Sequence, residues 1–278
     1  MNFLDKLITA SRQQNSLLCV GLDPEPSRFP AQLRGLPAAK AVAHFCQAII
    51  EATTAYVCAY KPNLAFFEVL GPEGMYVFQE VLRAIPEHIP IIVDAKRGDV
   101  ENTARNYATT VFEIYGCDAV TVNPYLGYDS VAPFLDYHEK GVIFLCRTSN
   151  PGARDFQDLL IHGGKEDEKP LYEVVAQRVQ SWNKAGNCGL VVGATYPKEL
   201  RAIRSLCPDM PILIPGVGAQ GGGLEASVAA GVDARGERAI IAVSRTVLYA
   251  GDGADYAAVA ANEARLLRDR INEARINK

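Results

Sequence analysis

Short apolar runs recur along the chain. Each is closed by polar, glycine or proline residues and followed by a stretch whose apolar side chains return every three to four positions. The runs at 17–22, 56–60, 90–94, 119–123, 142–146, 189–193, 212–215 and 239–244 are predicted strands. The stretches near 38–54, 72–84, 101–115, 128–139, 170–185, 197–206, 222–230 and 254–275 are predicted helices. Strict alternation of strand and helix implies a parallel sheet, because each return to the same edge needs a crossover. The strand runs are apolar throughout instead of alternating, as strands covered on both faces should be. Eight such units in 278 residues fit an α/β fold, a single (β/α)8 TIM barrel. A doubly wound open sheet is the alternative.

Composition narrows the class. Hydrophobic residues make up 49% and charged residues 22%, with 28 Lys+Arg against 32 Asp+Glu, a formal charge of −4. That usage excludes a disordered chain, a coiled coil and a collagen-like repeat, and the acidic balance argues against a nucleic-acid partner. The longest apolar runs fall far short of the ~20 residues of a membrane span, so no membrane partner is expected. The first residues lack the basic stretch and apolar core of a signal peptide. Seven cysteines, in odd number and without a C-x-x-C, lie mostly inside apolar runs and read as small buried hydrophobes in a reducing, cytoplasmic setting. No Ser/Pro-rich linker divides the chain, so residues 1–278 are read as one barrel domain. Its one oversized connection, at about 150–170 after the fifth strand, has the length of a lid or insertion. We expect it to close over the substrate or shield the mouth.

The densest chemistry is Asp94-Ala95-Lys96-Arg97-Gly98-Asp99, directly after a buried run and therefore at the active face of a barrel. On an extended backbone Asp94 and Lys96 point the same way. Two carboxylates around one ammonium favour its charged form and make it a fixed proton donor. An isolated D-x-K is often only a salt-bridged strand end. Here the other strands also end in polar groups, and in a barrel Asp23, Lys61, Asp94, Lys96 and Ser149 converge on one mouth. The Gly216–Gly223 stretch contains G-x-G-x-x-G but follows the seventh strand, and the next strand ends in Ser244-Arg245 and not in a carboxylate. That position fits the phosphate site of barrels better than a dinucleotide fold. The four histidines, 44, 88, 138 and 162, are scattered and suggest no metal cage. Ser149 has neither a histidine partner nor a G-x-S-x-G elbow, so acyl hydrolysis is not expected.

At these residues the sequence resembles the orotidine 5′-phosphate decarboxylases, in their longer bacterial subgroup (type 2). The likeness runs from Phe3-Leu4-Asp5-Lys6-Leu7 through Leu18–Pro24 to Ser244-Arg245. Its most specific part is Asp94–Val100 with Asn102-Thr103, similar to the family's D-x-K-x-x-D signature. Thr121–Gly127, Arg147–Gly152 and Pro215–Gly222 match as well. Val100 stands where isoleucine is commoner.

The resemblance implies a carboxy-lyase that converts orotidine 5′-monophosphate to UMP and CO2 in de novo pyrimidine synthesis, with no metal and no organic cofactor. It also implies a homodimer. Lys61, Asp94, Lys96 and Asp99 would form an alternating charged network, with Lys96 giving the proton to C6. Asp94 would lie beside the substrate carboxylate. Asp23, Lys61, Asp99 and Thr103 would meet the ribose hydroxyls, Asp99 and Thr103 reaching into the neighbouring subunit's site. Ser149 would meet the pyrimidine, while Gln220 and Arg245 would hold the phosphate. Asn123, Gly218, Gly221 and Ser244 complete the expected contacts. Alternatives are a Mg²⁺-dependent phosphosugar enzyme with related D-x-K chemistry, a Schiff-base aldolase, a non-catalytic nucleotide-binding barrel and an NAD-dependent enzyme. Carboxylates beside a lysine raise its pKa and so disfavour the Schiff base.

Overall fold

The structure, a computed structural model, describes residues 1–162, 168–218 and 223–276. Eight parallel strands make the central sheet: β1 (Leu18–Leu22), β2 (Ala59–Pro62), β3 (Ile92–Arg97), β4 (Ala119–Val122), β5 (Gly141–Arg147), β8 (Cys188–Val192), β9 (Ile212–Pro215) and β10 (Ala239–Val243). Between β5 and β8 lie two short strands, β6 (Leu160–His162) and β7 (Glu168–Pro170), paired antiparallel and apart from the main sheet. Hydrogen-bonded neighbours run β2-β1-β10-β9-β8-β5-β4-β3. Parallel bridges Tyr60–Ile91 and Asn63–Asp94 join β2 to β3 and close the ring. The barrel expected from the alternation is the fold observed.

β1, β2, β4, β8 and β10 are buried at every position, which is why they read as unbroken apolar runs. Their outward side chains pack under the helices. Inward side chains of the barrel strands form a separate core that includes Cys19, Ala59, Ile92, Ala119, Ile143, Leu213 and Ile240. The N-terminal helix Phe3–Gln13, which the strand–helix alternation does not anticipate, closes the bottom of that core with Phe3 and Leu7. Phe3 N donates to Glu139 O (2.8 Å), and Lys6 pairs with Asp118 (2.8 Å). All seven cysteines are buried and unpaired. No helix among the described residues is long and apolar enough to cross a membrane.

Three elements depart from expectation. β2 begins three residues later than predicted because a 3₁₀ turn, Thr54–Tyr56, extends the preceding helix. The Thr53 and Thr54 hydroxyls back-bond to Ile49 and Ile50 carbonyls and hold that turn. The helix predicted at 128–139 shrinks to Ala132–Leu135, because Pro133 must stand in a first turn and the residues before it form a turn closed by Ser130 Oγ on Gly127 O. The helix predicted at 101–115 is α-helical at Glu101–Thr109 and widens to a π-turn at Thr110–Ile114.

Candidate active site

The site is assembled at the C-terminal ends of the strands, beginning with an irregularity in β3. Val93 pairs with Val120 and Arg97 with Val122, so four steps of β3 face two of β4. Asp94 to Lys96, three residues facing Thr121 alone, bulge out of the ladder, and Lys96 takes a left-handed backbone conformation (φ 48°), which is uncommon for a non-glycine residue. The donors freed by the bulge are met by one side chain. Thr121 Oγ1 accepts from Ala95 N (3.1 Å) and Lys96 N (3.0 Å) and donates to Asp94 Oδ1 (2.9 Å). Asp94 and Lys96 therefore come together through a bulge and not through an extended strand.

Asp94 lies between two ammonium groups. Lys96 Nζ is 2.6 Å from Oδ1 and Lys61 Nζ is 3.2 Å from Oδ2. Burial would push the Asp94 carboxyl up. The charges of Lys61 and Lys96, with hydrogen bonds from Lys96 and Thr121, outweigh it and hold Asp94 well below the usual carboxylate range. Burial would likewise push the Lys61 ammonium down, but Asp94 and Asp23 raise it above its ordinary value. The two lysines differ in access: Lys61 keeps 6% of its side-chain surface and Lys96 51%. Lys61 is thus a largely buried charge at the edge of the cavity, and Lys96 presents its ammonium to the mouth. The expected arrangement of two carboxylates around one ammonium is reversed within this chain. Asp99 stands away from Lys96 and accepts from Val100 N (2.8 Å).

Asp23, Lys61, Asp94, Lys96, Ser149, Ser244 and Arg245 line one cavity of about 530 Å³. Its lining also includes the apolar Leu145, Val191, Leu213 and Ala242. Asp23 Oδ1 is buried and has no protein hydrogen-bond partner. Two glycines make room beside Ser244 and Ser149. A Cβ on Gly21 would stand 1.9 Å from the Ser244 side-chain Oγ, and one on Gly193 would stand 2.7 Å from the Ser149 backbone Cα.

Other expected residues lie elsewhere. Thr103 is exposed on the helix after β3, and Asn123 caps the turn Pro124–Leu126 by accepting from Tyr125 N. Asp99, Thr103, Asn123 and Gly218 are not among the cavity's lining residues. Gln220 and Gly221 fall outside the described residues. None of the four histidines lines the cavity.

Sequence reasoning passed over Thr121, Asn63, Phe156, Gln157 and Thr246, all of which line the cavity. A hydroxyl inside the apolar strand Ala119-Val120-Thr121-Val122, one strand from a D-x-K, was the available signal for Thr121. Asn63 stands two residues beyond Lys61, the spacing that places two side chains on one side of a strand.

Comparison with known proteins identifies the family. Residues 16–259 match the family described as orotidine 5′-phosphate decarboxylase / HUMPS. The orotidine 5′-phosphate decarboxylase of Azoarcus sp. (strain BH72) is 50% identical over 280 residues, covering 98% of this chain and 99% of the relative. That of Roseiflexus castenholzii is 51% identical over 275 residues, covering 99% and 98%. The solved OMP decarboxylase of Leishmania donovani superposes with a TM-score of 0.86 at 42% identity, covering 99% of this chain and all of that one. With the closed barrel and a match over most of its length, the chain belongs to the orotidine 5′-phosphate decarboxylase / HUMPS family.

Proposed function

We propose that the chain decarboxylates orotidine 5′-monophosphate to UMP and CO2, without metal or organic cofactor, and that Lys96 delivers the proton to C6. The family and the full-length relatives support the reaction. The observation that carries the role of Lys96 is its ammonium, half-exposed at the cavity wall yet held 2.6 Å from a carboxylate with only 13% of its side-chain surface exposed. The C6–carboxylate bond breaks with its electron pair left on C6, in the ring plane and without a π-electron sink. Stabilisation must then come from charge already in place. A pre-positioned ammonium supplies it without reorganisation, the kind of stabilisation that dominates rate enhancement in many enzymes. The pair on C6 takes a proton from Lys96, and solvent restores the ammonium.

The other contacts follow from what each group can bond. Asp23 Oδ1 is an acceptor without a protein donor and suits a ribose hydroxyl, as does Lys61 beside it. Ser149, which lines the same cavity, meets the pyrimidine. Arg245, exposed at the start of its helix Arg245–Leu248, pairs with the phosphate, joined by Ser244 and by Gln220 of the glycine-rich stretch. Phosphate binding energy, remote from the bond that breaks, orders the site around the substrate. Asp99 and Thr103 lie outside their own chain's cavity and complete the cavity of a second copy, which makes the working unit a homodimer. The chain acts as one barrel domain in the cytoplasm, a placement in keeping with seven unpaired cysteines.

The test is the ultraviolet absorbance of orotidine 5′-monophosphate mixed with purified protein in excess EDTA. Conversion to UMP is expected. No conversion under EDTA, with turnover of a keto-sugar phosphate on adding Mg²⁺, would refute the proposal.

A further inference from the structure

Two side-chain pairs close the neck of the segment that leaves β5. Arg147, its last residue, is wholly buried (0% exposed) and is first by size among the fully buried side chains. Its Nη2 donates to Asp158 Oδ2 (3.2 Å), while its Nε lies 2.9 Å from Asp158 Oδ1 as an ion pair, out of line for a hydrogen bond. Nη1 donates to Thr148 O (2.9 Å), and the guanidinium plane sits 3.7 Å from the Tyr196 ring centroid. The next residues pair in the same sense. Thr148 N donates to Gln157 Oε1 (2.8 Å), and Gln157 Nε2 donates to Thr148 Oγ1 (2.9 Å). Residues 147 and 148 are thereby clasped to 158 and 157.

What the clasp encloses is one stretch of the cavity wall: Ser149, Asn150, Gly152, Ala153 and Phe156 all line the cavity, while Arg147 and Asp158 do not. On the barrel side the clasp is rigid, since Arg147 O accepts from Gly193 N (2.7 Å). On the loop side Asp158 keeps 40% of its side-chain surface exposed. A guanidinium enclosed in this way contributes little stability that an apolar side chain would not match. What it adds is direction, because one guanidinium, stacked on Tyr196, holds Thr148 O and the Asp158 carboxylate at the same time.

We infer that Arg147 is a positioning residue: through Asp158 it sets the 149–156 wall, and with it Ser149, in the shape that receives the pyrimidine before substrate arrives. The inference rests on the proposed decarboxylation only for the identity of the ring.

The experiment uses the full chain and Asp158→Asn, which keeps the shape of the side chain and leaves Arg147 in its packed place. Two readouts are taken: steady-state kinetics with orotidine 5′-monophosphate, and amide hydrogen exchange of the ligand-free protein. KM is expected to rise about 10- to 100-fold, the range for one charge-assisted contact. At saturation kcat stays within about threefold, because bound substrate rebuilds the wall. Exchange across 148–158 speeds up by a similar factor while the barrel strands keep their protection. Asp158→Glu, which retains the carboxylate, should recover part of the KM. An unchanged KM with unchanged exchange overturns the inference. So does a fall in active fraction at constant KM, which is the mark of a merely structural pair. A wild type that does not turn over this substrate refutes the proposed reaction instead, and the exchange comparison then decides the clasp alone.

Discussion

Replacing Thr121 by valine removes one oxygen and almost no volume, yet that oxygen holds three partners. Without it, Ala95 N and Lys96 N lose their acceptor and Asp94 Oδ1 loses a donor. Thr121 is 1% exposed, so water reaches its place poorly. At about 1–3 kcal/mol for each unpaired group, partly relieved by local shifts, the variant should lose about 2–4 kcal/mol of stability. The kinetic effect has a separate origin. Lys96 holds a left-handed backbone (φ 48°), which costs a non-glycine residue about 1–2 kcal/mol. Freed from Thr121, the bulge relaxes, and that energy must be supplied again to bring the ammonium back. The conversion of about 1.4 kcal/mol per tenfold gives a loss of about 5- to 30-fold in kcat/KM. Thr121→Ser, which keeps the hydroxyl, should lose no more than about threefold. Denaturant unfolding and the absorbance assay, run on both variants, separate the two effects. A valine variant with kcat/KM within twofold of wild type would refute the role given to the hydroxyl.

The remaining predictions concern the charges and their supports. Asp94 has a folded pKa below its ordinary 3.8, so its contribution to stability is complete above about pH 4 and is lost as pH falls through the depressed value. Lys61 has a folded pKa above its ordinary 10.5, so its contribution is complete below that pH and is lost as pH rises through the elevated value. Neither group should shape the kcat/KM profile between about pH 5 and 9. Lys61→Met leaves burial as a larger influence on Asp94 and should move the acid limb toward neutral pH; an unmoved limb would count against the pairing. Arg245→Ala should lower kcat/KM at least about 100-fold while UMP binding weakens in parallel, as loss of a charge-assisted phosphate contact requires, and an unchanged kcat/KM would remove Arg245 from the phosphate site. Tyr249 follows the Arg245 helix; its hydroxyl accepts from Glu25 N (2.6 Å) and donates to Asp23 O (3.1 Å). Tyr249→Phe should therefore raise KM by roughly fivefold, about one hydrogen bond, and Michaelis–Menten curves that coincide with wild type would show that this tie is idle.

How much of this could be read from the chain depends on which forces acted locally. The barrel was legible because strands buried on both faces leave unbroken apolar runs, and the charges at their ends stood out against those runs. The N-terminal plug was not legible: Phe3 and Leu7 form a helical stripe, but nothing local says that it faces the inside of a barrel. The β3 bulge was hidden for a similar reason. Its donors are satisfied by Thr121, 25 and 26 residues away, and only the folded ladder brings them together. The reversed charge order around Asp94 has the same origin, since spacing places Asp99 near Lys96 while the backbone after Arg97 carries it toward Ser130, whose carbonyl accepts from Asp99 N. The clasp at Arg147 was invisible as well, because an arginine beside Thr148 and Ser149 reads as a surface or substrate-facing charge until its burial is known.

The most direct test of Lys96 as the proton donor is Lys96→Ala, assayed for orotidine 5′-monophosphate decarboxylation beside wild type and titrated with UMP by calorimetry. Turnover should fall below detection while UMP still binds measurably, because Asp23, Lys61 and Arg245 remain in place. Substantial residual turnover in a folded, UMP-binding Lys96→Ala protein would contradict this and remove Lys96 as the proton donor.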